Sequence, residues 1–324
     1  MGFALEFKEI YLAQRRIQSI VRRTPLEPSL FFSDACGGEV YLKLENLQLT
    51  GSFKIRGALN KMLQLSPQER RRGVVTASAG NHAQGIGYGA KMLGIEATIV
   101  VPQNTPKTKI EAIRRYGVDL MIHGENYDEA EKKARQLERE LSKVYVSPYN
   151  DYDVIAGQGT VGLEMWEQQS NLEAVLVPVG GGGLISGIAI ALKSLNPDIE
   201  VIGVQSKASP VMYESMKQGR IVEVPIEESI AEGLHGGIEK GSVTFDLVKE
   251  LVDDIILVEE ADIETTIALF LEHHHQVAEG AGAVGLATLM GSEKRFKDRR
   301  IGVVVSGGNI DISLIKKILN STET

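Results

Sequence analysis

Cysteine is almost missing from this chain. Cys36 is the only one in 324 residues, which excludes an intrachain disulfide and suits a reducing compartment. Also missing is any apolar run long enough to span a bilayer. Met1 to Arg16 mix acids and bases with apolar side chains. That fits neither a signal peptide nor a membrane anchor, so a cytoplasmic protein is expected. A basic excess is absent too. The net charge is −8, which argues against a nucleic-acid partner. The tightest basic cluster, Arg70-Arg71-Arg72, follows Pro67 and reads as a solvated helix end. There is no low-complexity segment and no internal repeat. What remains is ordinary. Charged residues at 24% and hydrophobic ones at 43% belong to a globular protein, long enough for two domains.

The dominant pattern is a short β-branched run, a Gly-rich turn and a helical segment. Val74 to Thr76 leads into Ser78-Ala79-Gly80-Asn81, and Ala97 to Val101 into Pro102 and a helix from Thr105. Asp119 to Ile122 precedes a helix over Asp128 to Leu141. Ala174 to Val179 leads into Gly180 to Gly183, and Ile301 to Val305 into Ser306-Gly307-Gly308-Asn309. Unbroken apolar strands separated by helices predict an α/β fold with two open, twisted, mostly parallel sheets covered on both faces. Residues 67–146 are expected to form a small domain with its own sheet. Residues 1–66 and 147–324 are expected to form a large, discontinuous domain, joined by the strand-like stretch Glu39 to Glu45. Ligands of open parallel sheets bind beyond the carboxyl ends of strands. The turns at 77–80, 180–183 and 306–309 therefore frame one small-molecule site if they face one crevice.

Each motif carries two readings. Gly180 to Gly183 follow an apolar strand and open a helix, so backbone N–H groups and the helix dipole converge on an anion. A phosphate is the natural guest; close helix–strand packing is the plainer reading. No Gly-Lys-Ser/Thr follows, a dinucleotide fingerprint would need a glycine at Ile185 or Ser186, and the next strand ends in Gln205 rather than an acid. ATP and NAD are both disfavoured, and a single phosphomonoester fits better. In Ser52-Phe53-Lys54-Ile55-Arg56-Gly57, Thr50 to Ser52 read as a turn and N-cap, with a helix from Lys54. An amine there has a depressed pKa, as an imine-forming lysine needs. A surface lysine paired with Glu45 satisfies the same residues. Ser78-Ala79-Gly80-Asn81-His82 offers several backbone N–H groups to a carboxylate, with His82 read as an oriented structural residue rather than a base. Ser306 stands at a strand end, and on spacing alone it reads better as the N-cap of a final helix, Ile312 to Leu319. His273-His274-His275 has no i, i+4 pair and reads as a solvated or interface face rather than a metal site. Gly85, Gly87 and Gly89 lie within a helical stretch and read as close helix packing.

Four motifs in order over nearly the whole chain then resemble one family. Glu45 to Ala58, Ala77 to Gly85, Gly180 to Gly183 and Ser306 to Asn309 are similar to those of the serine/threonine dehydratases, among the tryptophan-synthase-β-like, fold type II pyridoxal-phosphate enzymes. The resemblance implies pyridoxal 5'-phosphate as cofactor and an amino acid as substrate. Lys54 would be the Schiff-base lysine and the base for the Cα proton. Phe53 would pack beside the cofactor ring, Asn81 would bond its phenolic oxygen, and Ser306 its pyridine nitrogen. Gly180, Gly181, Gly182 and Gly183 would cradle the phosphate. Ser78, Ala79, Gly80 and His82 would hold the substrate carboxylate. A neutral Ser306 would make the ring a weaker electron sink, favouring prompt loss of the β-hydroxyl. The implied activity is that of an L-threonine/L-serine ammonia-lyase, forming 2-oxobutanoate or pyruvate with ammonia. A homo-oligomer, dimer or tetramer, is implied as well.

Departures refine this. Racemases of the family carry a serine where Ala79 stands, and alanine cannot transfer a proton; dehydration is expected over racemisation, with a serine racemase or a hydroxyaspartate dehydratase as the alternative within the family. Their divalent-cation site uses an acid near Gln205, so no metal is expected here, although Glu232, Glu239 or Asp246 remain candidates for a cation. The chain ends shortly after Asn309, and a short, catabolic-type enzyme without a C-terminal regulatory domain is expected. An NAD-dependent oxidoreductase and a non-catalytic amino-acid sensor are the readings from other classes.

Overall fold

The computed structural model describes residues 5–291 and 293–322. Its strands, in chain order, are β1 (Leu26–Ser29), β2 (Glu39–Leu44), β3 (Val74–Ala77), β4 (Ala97–Val101), β5 (Asp119–Ile122), β6 (Val144–Tyr145), β7 (Ala174–Pro178), β8 (Glu200–Ser206), β9 (Asp254–Val258) and β10 (Arg300–Val305). They build a six-stranded sheet, β1-β2-β10-β7-β8-β9, and a four-stranded sheet, β5-β4-β3-β6. Every neighbouring pair is parallel except β1–β2. β7 and β4 are buried along their whole length, as strands covered by helices on both faces must be. β1 lies at a sheet edge and carries Pro28, where a residue without an N–H costs no ladder bond.

Polar side chains set the helix starts. Ser66, Asn126 and Asp151 accept backbone N–H groups at the heads of Pro67–Arg72, Tyr127–Leu141 and Tyr152–Gln168. Arg71 and Arg72 are exposed at the end of the first of these, and Arg70 turns back to the carbonyls of Leu63 and Leu65. The helix expected from Thr105 starts at Lys107, with Pro106 as its extended N-cap.

Both sheets reverse direction at the turns that matter. In the small sheet β3, β4 and β5 progress to one side and β6 joins the other, so the reversal lies between β3 and β6. In the large sheet β7, β8 and β9 progress one way and β10 returns on the other side of β7. Ligand crevices of open α/β sheets form at such reversals, beyond the carboxyl ends of the strands. The turns there are 78–80, 146–149, 179–183 and 306–309.

Small residues bring the helices near the crevice together. A Cβ on Gly157 would stand 2.6 Å from Arg56 O, and one on Gly85 3.2 Å from Ile55 N. Gly89 faces Met62 and Gly87 faces Tyr116. The three spaced glycines of Asn81–Leu93 thus serve close packing, against the Lys54–Leu63 helix above all. The histidine tract is a largely solvated face, with His273 and His275 exposed and His274 half-buried. His273 stacks on Phe31 with centroids 3.8 Å apart. His274 packs on Phe270 and shares a hydrogen bond with Ser29 Oγ at 2.8 Å.

Candidate active site

Lys54 opens the helix Lys54–Leu63, and its turn is fastened to the turn after β10. Phe53 N–H donates to Ser306 O at 3.1 Å, Gly308 N–H donates to Gly51 O at 2.9 Å, and Ser52 bridges Gly307. Ser52 is therefore not the expected N-cap. Phe53 takes that position with helical φ and ψ, and Ser52 Oγ is buried with no partner. The Lys54 ammonium donates to Pro148 O at 2.9 Å, next to β6, and lies 5.2 Å from the centre of the Phe53 ring. Burial lowers its pKa to about 8, against the opposing pull of Glu279. The surface pair with Glu45 does not form. Glu45 is buried and holds Arg56 instead.

Beneath this turn lies a neutral cluster of four buried charges. Arg56 donates to both oxygens of Glu45, at 2.8 and 2.7 Å, and to both of Glu164, at 2.7 and 2.9 Å. Lys43 reaches Glu164, Gln168 and Thr24 O at 2.6, 2.9 and 2.7 Å, which uses all three ammonium protons. Burial pulls the Arg56 pKa down, but the two carboxylates more than offset it and leave it raised.

The glycine run follows β7 and leads into the helix Gly183–Leu195. Gly182 has φ +87°, a conformation that favours glycine. A Cβ on Gly181 would meet the Tyr149 ring at 2.5 Å, and one on Gly183 would meet Tyr149 Cα at 2.9 Å. The run is thus a bare backbone surface roofed by Tyr149, the residue after Pro148. The first N–H groups of its helix have no intrahelical acceptor, and Ser186 Oγ in that turn is buried without a partner.

Asn81 opens the helix Asn81–Leu93, with Gly80 before it and Gly80 N–H donating to Ser78 Oγ at 3.2 Å. Its Nδ2 donates to Glu279 Oε1 at 2.6 Å, and its Oδ1 accepts from Asn309 Nδ2 at 2.7 Å. The turns after β3 and β10 therefore touch. His82 is buried and its Nε2 donates to Val146 O at 3.0 Å. Burial, then the charge of Lys54, lower its pKa to about 3. A neutral ring committed to Val146 has no proton left for a carboxylate, and only its backbone N–H remains available to the turn. Ala79 sits in the same turn, partly buried. Ser306 is buried at the end of β10 and its Oγ donates to Ala281 O at 3.2 Å. It does not cap the final helix, Ile312–Thr322; Asp311 does, accepting Ser313 N–H at 2.8 Å.

Three contributors were not singled out by the sequence: Pro148, Tyr149 and Glu279. Only Glu279 left a trace, an acid among small residues in Ala278-Glu279-Gly280-Ala281-Gly282. The candidate cation acids lie apart in other roles. Glu232 pairs with Lys109, Glu239 with Arg135 and Asn150, and Asp246 is exposed on Val243–Leu251. Gln205 is buried and accepts Tyr213 N–H at 2.8 Å.

Two parallel sheets whose reversals share a crevice, a lysine at a helix head and a bare glycine cradle define a class of α/β cofactor enzyme. Residues 17–307 match the family model of the pyridoxal-phosphate dependent enzymes, and the chain belongs to that family. It is 47% identical over 317 residues to an L-threonine ammonia-lyase of Thermotoga maritima, covering 98% of this chain and 78% of that one. It is 41% identical to the L-threonine dehydratase catabolic TdcB of Escherichia coli, covering 96% and 94%. The solved structure of maize serine racemase superposes with a TM-score of 0.93 at 34% identity, covering 99% and 98%. The cofactor is pyridoxal 5'-phosphate. The crevice suits it: an amine with a depressed pKa meets the need of an aldehyde, and the unpartnered Ser186 Oγ and the free N–H groups at the head of Gly183–Leu195 meet the need of a phosphate.

Proposed function

We propose that this enzyme eliminates the β-hydroxyl of L-threonine and releases 2-oxobutanoate and ammonia, and that it converts L-serine to pyruvate and ammonia. The observation that carries this is Lys54, an amine held at a helix head with its pKa lowered to about 8. Kinship with proteins named for threonine deamination supports the substrate. Pyridoxal phosphate, when bound, acidifies the Cα–H of an amino acid and accepts the electron pair.

The chain's own residues supply the rest. Lys54 Nζ takes the Cα proton. The backbone N–H groups of Asn81 and His82, at the head of their helix, hold the substrate carboxylate, with Ser78, Ala79 and Gly80 shaping that turn. Gly180 to Gly183 hold the phosphate. Asn81 would hold the ring oxygen, Ser306 the ring nitrogen, and Phe53 would pack beside the ring. The β-hydroxyl leaves as water with the proton that Lys54 took from Cα, and a water taken up in turn gives the keto acid and ammonia. Ala79 carries no proton for the face opposite Lys54, which supports elimination over racemisation.

The likeness to serine racemase makes the test a comparison of products. Ammonia and keto acid are expected from both L-amino acids, with little D-serine. D-serine formed faster than pyruvate would overturn the proposal. We further propose that residues 67–146 act as a small domain against 1–66 and 147–324, and that the enzyme works in the cytoplasm as a homodimer or homotetramer. Light scattering of the holoenzyme tests the assembly: a monomeric mass refutes it. No helix among the described residues is long and apolar enough to cross a membrane.

A further inference from the structure

Glu279 lies at the crevice and has no part in the chemistry above. It is the N-cap of the helix Gly280–Ala287, and its N–H donates to Gly307 O at 3.0 Å. The side chain is packed against the turn after β10: a Cβ on Gly307 would stand 2.5 Å from its Oε1. That oxygen accepts Asn81 Nδ2 at 2.6 Å. On the other side of Asn81, Oδ1 accepts from Asn309 Nδ2 at 2.7 Å, and Asn309 Nδ2 also donates to Thr50 O at 2.8 Å. These contacts fix which way round the Asn81 amide sits. Turning it over would set its oxygen against a carboxylate and its nitrogen against another NH₂ group. A primary amide has two protons. Glu279 takes one and the other remains.

We infer that Glu279 is a positioning residue: when ionised, it locks the Asn81 amide so that the second N–H serves the cofactor. This rests on the reading of the crevice as the cofactor site. A protonated Glu279 carries a hydroxyl as well as a carbonyl oxygen, so it accommodates Asn81 either way round and the lock opens. The groups that act on it are Asn81 and the Asn309 N–H as donors, Glu232 and Lys109 as charges, and Lys54, whose own charge it stabilises. Burial, the largest influence, raises its pKa to about 7, assisted by Glu232 and opposed by Asn81, Asn309 and Lys109. The lock therefore opens on mild acidification.

The test is the affinity of the apo-protein for pyridoxal phosphate, read by absorbance at about pH 8 and about pH 6, either side of the Glu279 pKa. E279A should bind about tenfold more weakly than wild type at the higher pH, the effect of one oriented hydrogen bond. E279Q, like a protonated Glu279, both donates and accepts, and it does not titrate, so it should lose less affinity on acidification than wild type does. N81A/E279A should bind no worse than N81A, because Glu279 acts through Asn81. Wild-type affinity in E279A, equal acid sensitivity in E279Q and wild type, or additive losses in the double variant would each overturn the inference. Should E279A not fold, the E279Q comparison still decides. Wild type that fails to bind pyridoxal phosphate at all would instead refute the reading of the crevice.

Discussion

Replacing Arg56 with methionine would leave Glu45 and Glu164 buried with Lys43 as their only cation. In the native cluster two bases balance two acids, and each side chain is fully or almost fully buried. Removing one partner of such a pair costs about 3–5 kcal/mol, because the surviving charge has no water and no counter-ion. At about 2.1 cal/mol/K of unfolding entropy per residue, 324 residues turn that into a fall in Tm of roughly 4–7 °C. The sign of the pH dependence follows. Burial pushes the Glu45 pKa up, and in the native cluster Arg56 is the largest of the influences that hold it below 4.5. Without Arg56 the excess buried carboxylate should therefore have a folded pKa above its unfolded value. Its contribution to stability is full below that value and is lost as pH rises through the folded pKa. R56M should therefore lose more stability than wild type between acid and neutral pH. Adding Glu45→Gln leaves the Lys43–Glu164 pair, at 2.6 Å, and removes the excess charge. Denaturant melts of the two singles and the double measure this. The double should recover most of the R56M loss, far from the sum of the singles. A single-variant loss under about 1 kcal/mol, or a double less stable than R56M, would refute the view that the charges form one balanced unit.

Lys54→Ala should lower kcat by ~10²–10⁴-fold or more, the worth of a positioned proton-transfer group, and abolish the covalent cofactor absorbance; ammonia release and the visible spectrum check both. Gly181→Ala drives a methyl to 2.5 Å from the Tyr149 ring, so affinity for pyridoxal phosphate should fall while Tyr149→Ala in the same chain restores part of it, as equilibrium dialysis would show. His82 has a folded pKa depressed from 6.5 to about 3. The stability it contributes is present above 6.5 and is lost as pH falls toward 3, so H82Q should show a shallower loss in that window by thermal melts.

The strands were legible because both faces of a parallel sheet are covered, and Ala174 to Pro178 and Ile301 to Val305 read as unbroken apolar runs. The glycine run was legible because Gly182 needs φ +87° and its neighbours cannot bear a Cβ. Lys54 stood open between two readings on its own turn. What separated them was Glu45, which is claimed by Arg56 and so is unavailable to the lysine. Ser52 and Ser306 misled for a shared reason. Each has the composition of a cap, yet each is used by the other's turn through backbone bonds.

The sequence by itself determined the local conformations: where strands run, where helices start, and where the backbone lies bare enough to cradle an anion. Those depend on burial period, capping and the absence of a Cβ, all properties of neighbouring residues. Only the tertiary structure decided which side chains meet. Asn81 and Glu279 are 198 positions apart, and Lys54 finds Pro148 at 94. Such pairs arise because two sheets reverse direction at one crevice, and the order of strands in a sheet leaves no periodic mark on the chain.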